Sequence, residues 1–458
     1  MTLGGIHRRR TELPTMVRGA IWRVLASAML AGALTAGLGA CHGLLDVSDP
    51  TFIRDQDIAN ANGANGRRIN AIGFFMSQFG VTAMDVGLFT DELGFDESTS
   101  PLTISEELVL DQRDSEGYEQ GHNCCGDGGL LGGLDWTISQ SSIAMPAIRR
   151  FISGNLKGDY LAQLFAYRGH NLVQMAEIIC AGFPINDVSA DNVPILGGPR
   201  PPDSALVYAI TQLDSALANV KDSAVYDTLA RVLKARALLD LGQYDEAATT
   251  VASVSTGFAY YTNPEQFNRL YVCPGCDWSY SGFPVGDGEG GNGLHFVSEH
   301  DSVRVPTRYM QGRINDTTKP EYAQAKYNAS HAPFVIADGI EARLIQAEAA
   351  LHDHDGSWLT ILNDLRSPVG LDPLADPGTD SARVDLVYHE RAFWLFLTGH
   401  RLGDLRRLMR NYGRRAEDIY PTGSYPLIGQ YRDGTAIPFS FGVESLYNDK
   451  LTTGCTTR

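Results

Sequence analysis

Leu229, Leu233, Ala237 and Leu241 recur every four residues. Gly242-Gln243 then breaks the period, and Tyr244-Asp245-Glu246-Ala247 opens a new helical turn. Spacing of four puts these side chains on one stripe of a helix. Alanine where two helices cross, and glycine at the turn, let the second helix fold back on the first. Such a pair leaves an apolar face that only another helix can cover. The motif therefore sets the fold class as mainly α, built by stacking helix pairs. A second pair is expected at 340–351 and 358–365, joined by a polar turn at 352–357.

The rest of the chain fits that frame. Ile69, Ile72, Met76 and Phe79 lie on one helical face, and helical spacing returns over 136–151 and again from Leu161 to Ile179. The Pro-rich run 194–202 breaks the chain, and Asp203 or Ser204 is the expected cap of a helix carrying Leu206, Ile210, Leu213 and Leu217. A last long helix is expected over 386–409. Two stretches lack periodicity, near 91–133 and 261–300, and read as long loop insertions. Within the second, 287–293 alternates acidic residues with glycine and is expected to be its most flexible part. The helix pairs near 203–250 and 339–366 and both insertions read as one domain over 41–458.

At the N-terminus, Arg18 and Arg23 precede an uncharged, Ala- and Gly-rich run ending in Leu38-Gly39-Ala40-Cys41. A basic region, a short apolar run and small residues before a cut are the marks of a secretory signal. The cysteine after the cut gives the pattern of a bacterial lipobox, so 1–40 reads as a lipoprotein signal peptide and Cys41 as the acylated residue. Two or more acyl chains anchor a protein stably. The formal net charge of −17 disfavours nucleic acid as a partner. It also disfavours docking on anionic lipid, leaving the acyl chains as the membrane contact. The other cysteines are 124, 125, 180, 273, 276 and 455. In an exported chain an even number is first read as disulfides. The close pair Cys273 and Cys276 is expected to be oxidised; a four-cysteine zinc site with Cys124 and Cys125 is the remote alternative.

The first helix pair resembles a tetratricopeptide unit. Further motifs resemble the SusD/RagB family of outer-membrane nutrient-binding lipoproteins. Cys41-His-Gly-Leu-Leu-Asp-Val-Ser-Asp-Pro50 is similar to its opening. Ala347-Glu348-Ala349, followed by Asn363-Asp-Leu-Arg366, is similar to its later helix pair. Glu390-Arg391, Gly399-His400-Arg401 and Asp404-Leu405-Arg406-Arg407 resemble its C-terminal helix, and Ile437-Pro438 with Glu444 and Asn448 its closing motif. Trp394 and Thr398 stand where the family usually carries acids. The resemblance implies a tetratricopeptide-like scaffold whose loops capture a nutrient beside a SusC-like TonB-dependent transporter. It also implies that Glu390, Arg391, Arg401, Asp404 and Arg406 belong to the scaffold.

Catalytic motifs are weak. The sequence has no Gly-x-Ser-x-Gly elbow, no His-Glu-x-x-His and no phosphate-binding Gly loop. The alternating His352-Asp-His-Asp355 reads as a solvated turn rather than a metal site, and no cofactor or metal is expected. Aromatic residues concentrate at the insertions: Tyr271, Trp278, Tyr280 and Phe283 in the second, with Tyr118 and Trp136 beside the first. Large amphipathic rings offer flat apolar faces to sugar rings at low entropy cost, so these six are the candidate ligand-binding residues; the bland alternative is packing under a loop. The expected function is non-enzymatic capture of an oligosaccharide or peptide for a transporter. A lipid-anchored glycan-active enzyme or an assembly scaffold is the alternative.

Overall fold

A computed structural model describes residues 58–94, 129–179, 182–189, 193–195, 197–263, 268, 270–271, 283–310, 321–425, 429–431 and 433–437. All the elements below lie in one unit, 59–458.

Helix α1, Ala61–Phe89, starts at Asn60, whose side chain accepts from the Gly63 amide at 3.0 Å. It is long and apolar enough to cross a membrane, yet 67% of that window is buried inside the protein. α2, Gly129–Phe151, and α3, Gly154–Ile178, complete a three-helix group with α1. Ala71, Ala144, Met145, Ile148, Leu161 and Leu164 form a small core between them. α2 begins several residues before the expected 136, inside the stretch read as loop.

Four two-residue strands follow: β1 Phe183–Pro184, β2 Asp187–Val188, β3 Pro194–Ile195 and β4 Pro199–Arg200. They pair as β1 with β4 and β2 with β3. α4, Pro202–Asn219, then packs along α3. It starts at Pro202, one to two residues before the expected cap at Asp203 or Ser204, because proline is already set for the first helical position. At the α3–α4 crossing a Cβ on Gly169 would come within 2.5 Å of Leu213 Cγ, so only glycine allows this approach.

α5, Ala224–Asp240, and α6, Tyr244–Thr250, form the first expected pair, with Gly242 at φ +73° in the turn. The second expected pair is α7, Gly339–His352, and α8, Ser357–Arg366. Asp338 caps α7 by accepting from the Glu341 amide at 2.7 Å. The apolar faces of these helices run into one large core.

The expected single helix over 386–409 is two helices, α9 Asp380–Trp394 and α10 Arg401–Tyr412. Between them Leu397 and Gly399 adopt φ +53° and +77°, which no α-helix can continue. A short α11, Ala416–Ile419, follows. The remaining strands pair antiparallel: β5 Ala259–Tyr261 with β8 Val335–Asp338, β6 Thr307–Met310 with β7 Glu321–Gln324, and β9 Ser424–Tyr425 with β10 Gly429–Gln430.

Candidate ligand-binding surface and its support

The helices of the scaffold are tied to one another by buried charges as well as by apolar packing. Glu177 on α3 receives Arg236 of α5 on both oxygens. Arg391 of α9 donates to Asp404 of α10 at 2.9 and 2.8 Å, and Arg407 reaches Asp240, Glu348 and Asp404. Glu390 is 0% exposed between Arg304, at 2.7 Å, and Arg366, at 2.6 Å. Burial tends to raise the Asp404 carboxyl, but Arg391 and Arg407 outweigh it and hold the group well below the usual range. His400 sits neutral at the centre, pushed down by burial and the Arg236 charge. Arg236 Nη1 lies 2.9 Å from its Nε2. The residues of the C-terminal motif therefore tie helices to one another, as the resemblance implied.

One of these charges fixes the insertions. Arg401 donates to both oxygens of Asp91, at 2.7 and 2.8 Å. Asp91 opens the first insertion, and its Oδ2 also accepts from the Leu294 amide at 2.9 Å. Leu93 bridges antiparallel to Val285; Gly94 N donates to Pro284 O at 2.8 Å and Gly286 N to Glu92 O at 3.0 Å. The described roots of both insertions thus meet at one seam, 91–94 against 284–294. Behind it Glu92 is buried and accepts from the Leu397 amide at 2.8 Å. Burial pushes its carboxyl up to about 8, although Leu397 and Arg401 pull it down.

The stretch 287–293, expected to be most flexible, is a hydrogen-bonded turn. Asp287 Oδ1 accepts from the amides of Val297 and Ser298 at 3.1 and 2.9 Å, and Asn292 donates to the carbonyls of Glu417 and Tyr420. Gly288 and Gly290 take positive φ there, so the glycines serve turn geometry rather than mobility.

Of the six aromatic candidates, three are described. Trp136 is 40% exposed on α2, its ring edge-on to Phe74 of α1 at 5.6 Å. One turn away Asn70 Nδ2 donates to Gln140 Oε1 at 2.9 Å. A half-exposed indole beside two amide side chains offers an apolar face with polar groups at its rim. Tyr271 is partly buried, and its amide donates to Asn268 O at 3.1 Å. Phe283 is 2% exposed and packs into the large core, so its ring faces protein. Tyr118, Trp278, Tyr280, Cys41, Cys273 and Cys276 lie outside the described residues. Sequence reading missed the seam, because Asp91 and Glu92 look there like the polar start of a loop.

Among the described residues no group of three His, Cys, Asp or Glu is placed to hold a metal ion. His352 instead stacks on Tyr244 at 3.9 Å.

A helical scaffold stitched by buried ion pairs, with two insertions rooted at one seam, defines a class, and comparison of folds says which. The fold is that of SusD-like proteins. A SusD-like carbohydrate-binding protein from Bacteroides vulgatus matches with a TM-score of 0.56 at 15% identity, over 76% of this chain and 83% of that one. A laminarin-binding SusD-like protein matches with a TM-score of 0.59 at 13% identity, over 83% and 96%. B. fragilis NanU matches with a TM-score of 0.57 at 12% identity, over 87% and 97%. No family model and no curated protein matches the sequence.

Proposed function

We propose that this chain is a non-catalytic, lipid-anchored capture protein of the outer membrane, binding an oligosaccharide for a partner TonB-dependent transporter. The observation that carries the reading is the SusD-like fold with both insertions rooted at one seam, in the part of the chain richest in aromatic residues. Rigid scaffolds carrying irregular loops are where binding residues concentrate. Two neighbours of this fold are carbohydrate binders, which favours a glycan over a peptide as ligand. The Leu38-Gly39-Ala40-Cys41 motif supports the anchor. Anchoring beside a transporter raises the effective concentration of each for the other, so hand-over needs no tight interface.

Trp136, Trp278 and Tyr280 are the stacking rings in this reading. A glycan array followed by calorimetry tests it. A glycan should bind, and Trp136→Ala or Trp278→Ala should each weaken it by about 1–3 kcal/mol, the cost of a lost anchor ring, with little change in melting temperature. Mass spectrometry of the mature chain should find Cys41 acylated. Binding to no glycan, or variants that melt early yet bind normally when folded, would refute the capture surface.

A further inference from the structure

A cavity of about 390 Å³ lies between the end of α3, the last residue of α5, the length of α10 from Gly403 to Arg410, and α11. That is within the range of small-molecule sites. Its charged lining is Arg406, Arg407, Arg410, Arg414 and Arg415, with Glu177, Asp240 and Glu417, the last paired with Arg415 at 3.2 Å. In a chain of net charge −17 such a concentration of arginine is local, and at this range local charge outweighs the distant surplus of acids.

The arginines are not equivalent. Arg414 is paired with Asp385 and Arg415 with Asp418, each at 2.6 Å. Arg406 Nη1 donates to the carbonyls of Ala176, Glu177 and Ile179 at 2.9, 2.6 and 3.0 Å, closing the C-terminal end of α3. Among the described residues Arg406 has no carboxylate partner, and its Nε and Nη2 make no hydrogen bond. Arginine carries five N–H donors in a planar fork, so one edge of this fork is unused. Arg410 meets Asp203 at 3.0 Å, both side chains exposed at 43% and 68%, a contact easily exchanged for another anion. Asp240 is 3% exposed; its Oδ1 accepts from Arg407 at 2.8 Å, while its buried Oδ2 has no nitrogen donor and the carboxyl lies within hydrogen-bond reach of that of Glu177. Burial holds the neighbouring Glu177 carboxyl up at about 8 against the Arg236 charge, and the Asp240 carboxylate beside it adds to the rise.

We propose that this cavity binds a small acidic sugar, its anionic group on the unused edge of Arg406 and on Arg410 in exchange for Asp203, and a hydroxyl donating to the Asp240 carboxylate. A forked guanidinium suits a carboxylate or a sulfate ester equally, and a carboxylate oxygen with a lone pair to spare favours a ligand with a hydroxyl. The site is separate from the aromatic capture surface and stands or falls without it.

Calorimetry on the purified full chain at low salt, with glucuronate, glucose 6-sulfate and glucose as probes, tests this. At least one anionic probe should bind, and glucose about tenfold more weakly or not at all. Arg410→Ala and Arg406→Lys should each lower that affinity by about tenfold. Lysine can still donate to the α3 carbonyls, and Arg410 is at the surface, so both variants should fold. Arg150→Ala, on α2, should leave binding unchanged. A carboxylate preference over sulfate, or the reverse, identifies the anionic group. No binding of either anion, equal binding of glucose, or full affinity in both folded variants would overturn the proposal.

Discussion

Glu92 shows how one residue makes stability depend on pH. Its carboxyl ionises at about 8 when folded, against about 4.5 when exposed, because burial penalises the charge. Glu341 and Asp338 are pushed the same way by burial, to about 7 and about 6. Each binds a proton more readily in the folded chain, so each adds stability below its unfolded value and loses it as pH climbs through the folded one. Burial would push His389 down, but the carboxylates of Glu390, 3.8 Å away, and Glu299, hydrogen-bonded to it, raise it, so its contribution is also complete below about 6.5 and lost as pH climbs through the higher folded value. Asp404, held low, works oppositely and matters only on the acid side. Melting temperature should therefore fall between pH 5 and pH 8. Glu92→Gln keeps an acceptor for the Leu397 amide but removes the ionisation. It should match the parent near pH 5 and exceed it near pH 8 by a few kcal/mol, since each tenfold change in proton affinity is worth about 1.4 kcal/mol. Identical pH slopes in the two proteins would show that Glu92 does not carry the effect.

At the scale of elements, the α9–α10 break is where pattern and structure part. Apolar spacing runs through Leu395, Phe396, Leu397 and Leu402 without pause, and all four are buried. Periodicity records burial, and both the helices and the bend between them are buried, so it reports no boundary. The signal is conformational: Gly399 at φ +77° admits no side chain without strain, and a Cβ there would also approach Gln174 Nε2 to 3.3 Å. Gly399→Ala should lower stability by about 1–2 kcal/mol, read from urea unfolding; a neutral substitution would mean that the bend relaxes. The pair α5–α6 was legible for the opposite reason, because Gly242 falls where the apolar stripe stops. Of the candidate surface, the concentration of aromatics was legible in the chain. That Phe283 turns into the core was not, since a ring that binds and a ring that packs are the same residue type. The seam at 91–94 was hidden because Asp91 finds Arg401, its neutralising partner, 310 residues away in the chain.

If the proposed capture function holds, that long-range pair shapes how the whole molecule carries it out. A loop set that must meet a ligand and then a transporter needs loops free to adjust and roots that do not shift. The scaffold supplies the second: Arg401 begins α10, α10 is locked to α9 by Arg391–Asp404 and to α5 by Arg407–Asp240, and Asp91 hangs both insertions from Arg401. Breaking a buried pair by removing one partner is costly, about 3–5 kcal/mol, because the other charge is left unmatched. Removing both costs far less. Arg401→Met should therefore speed hydrogen exchange at 91–94 and 284–294 while α5 and α7 stay protected, and glycan binding should weaken with it. Adding Asp91→Asn should restore much of the protection. The double-mutant cycle then separates charge from packing. If exchange rises equally in every helix, the seam belongs to the global core rather than to the insertions. If it rises only at the seam and binding is untouched, the capture surface does not depend on how its roots are held.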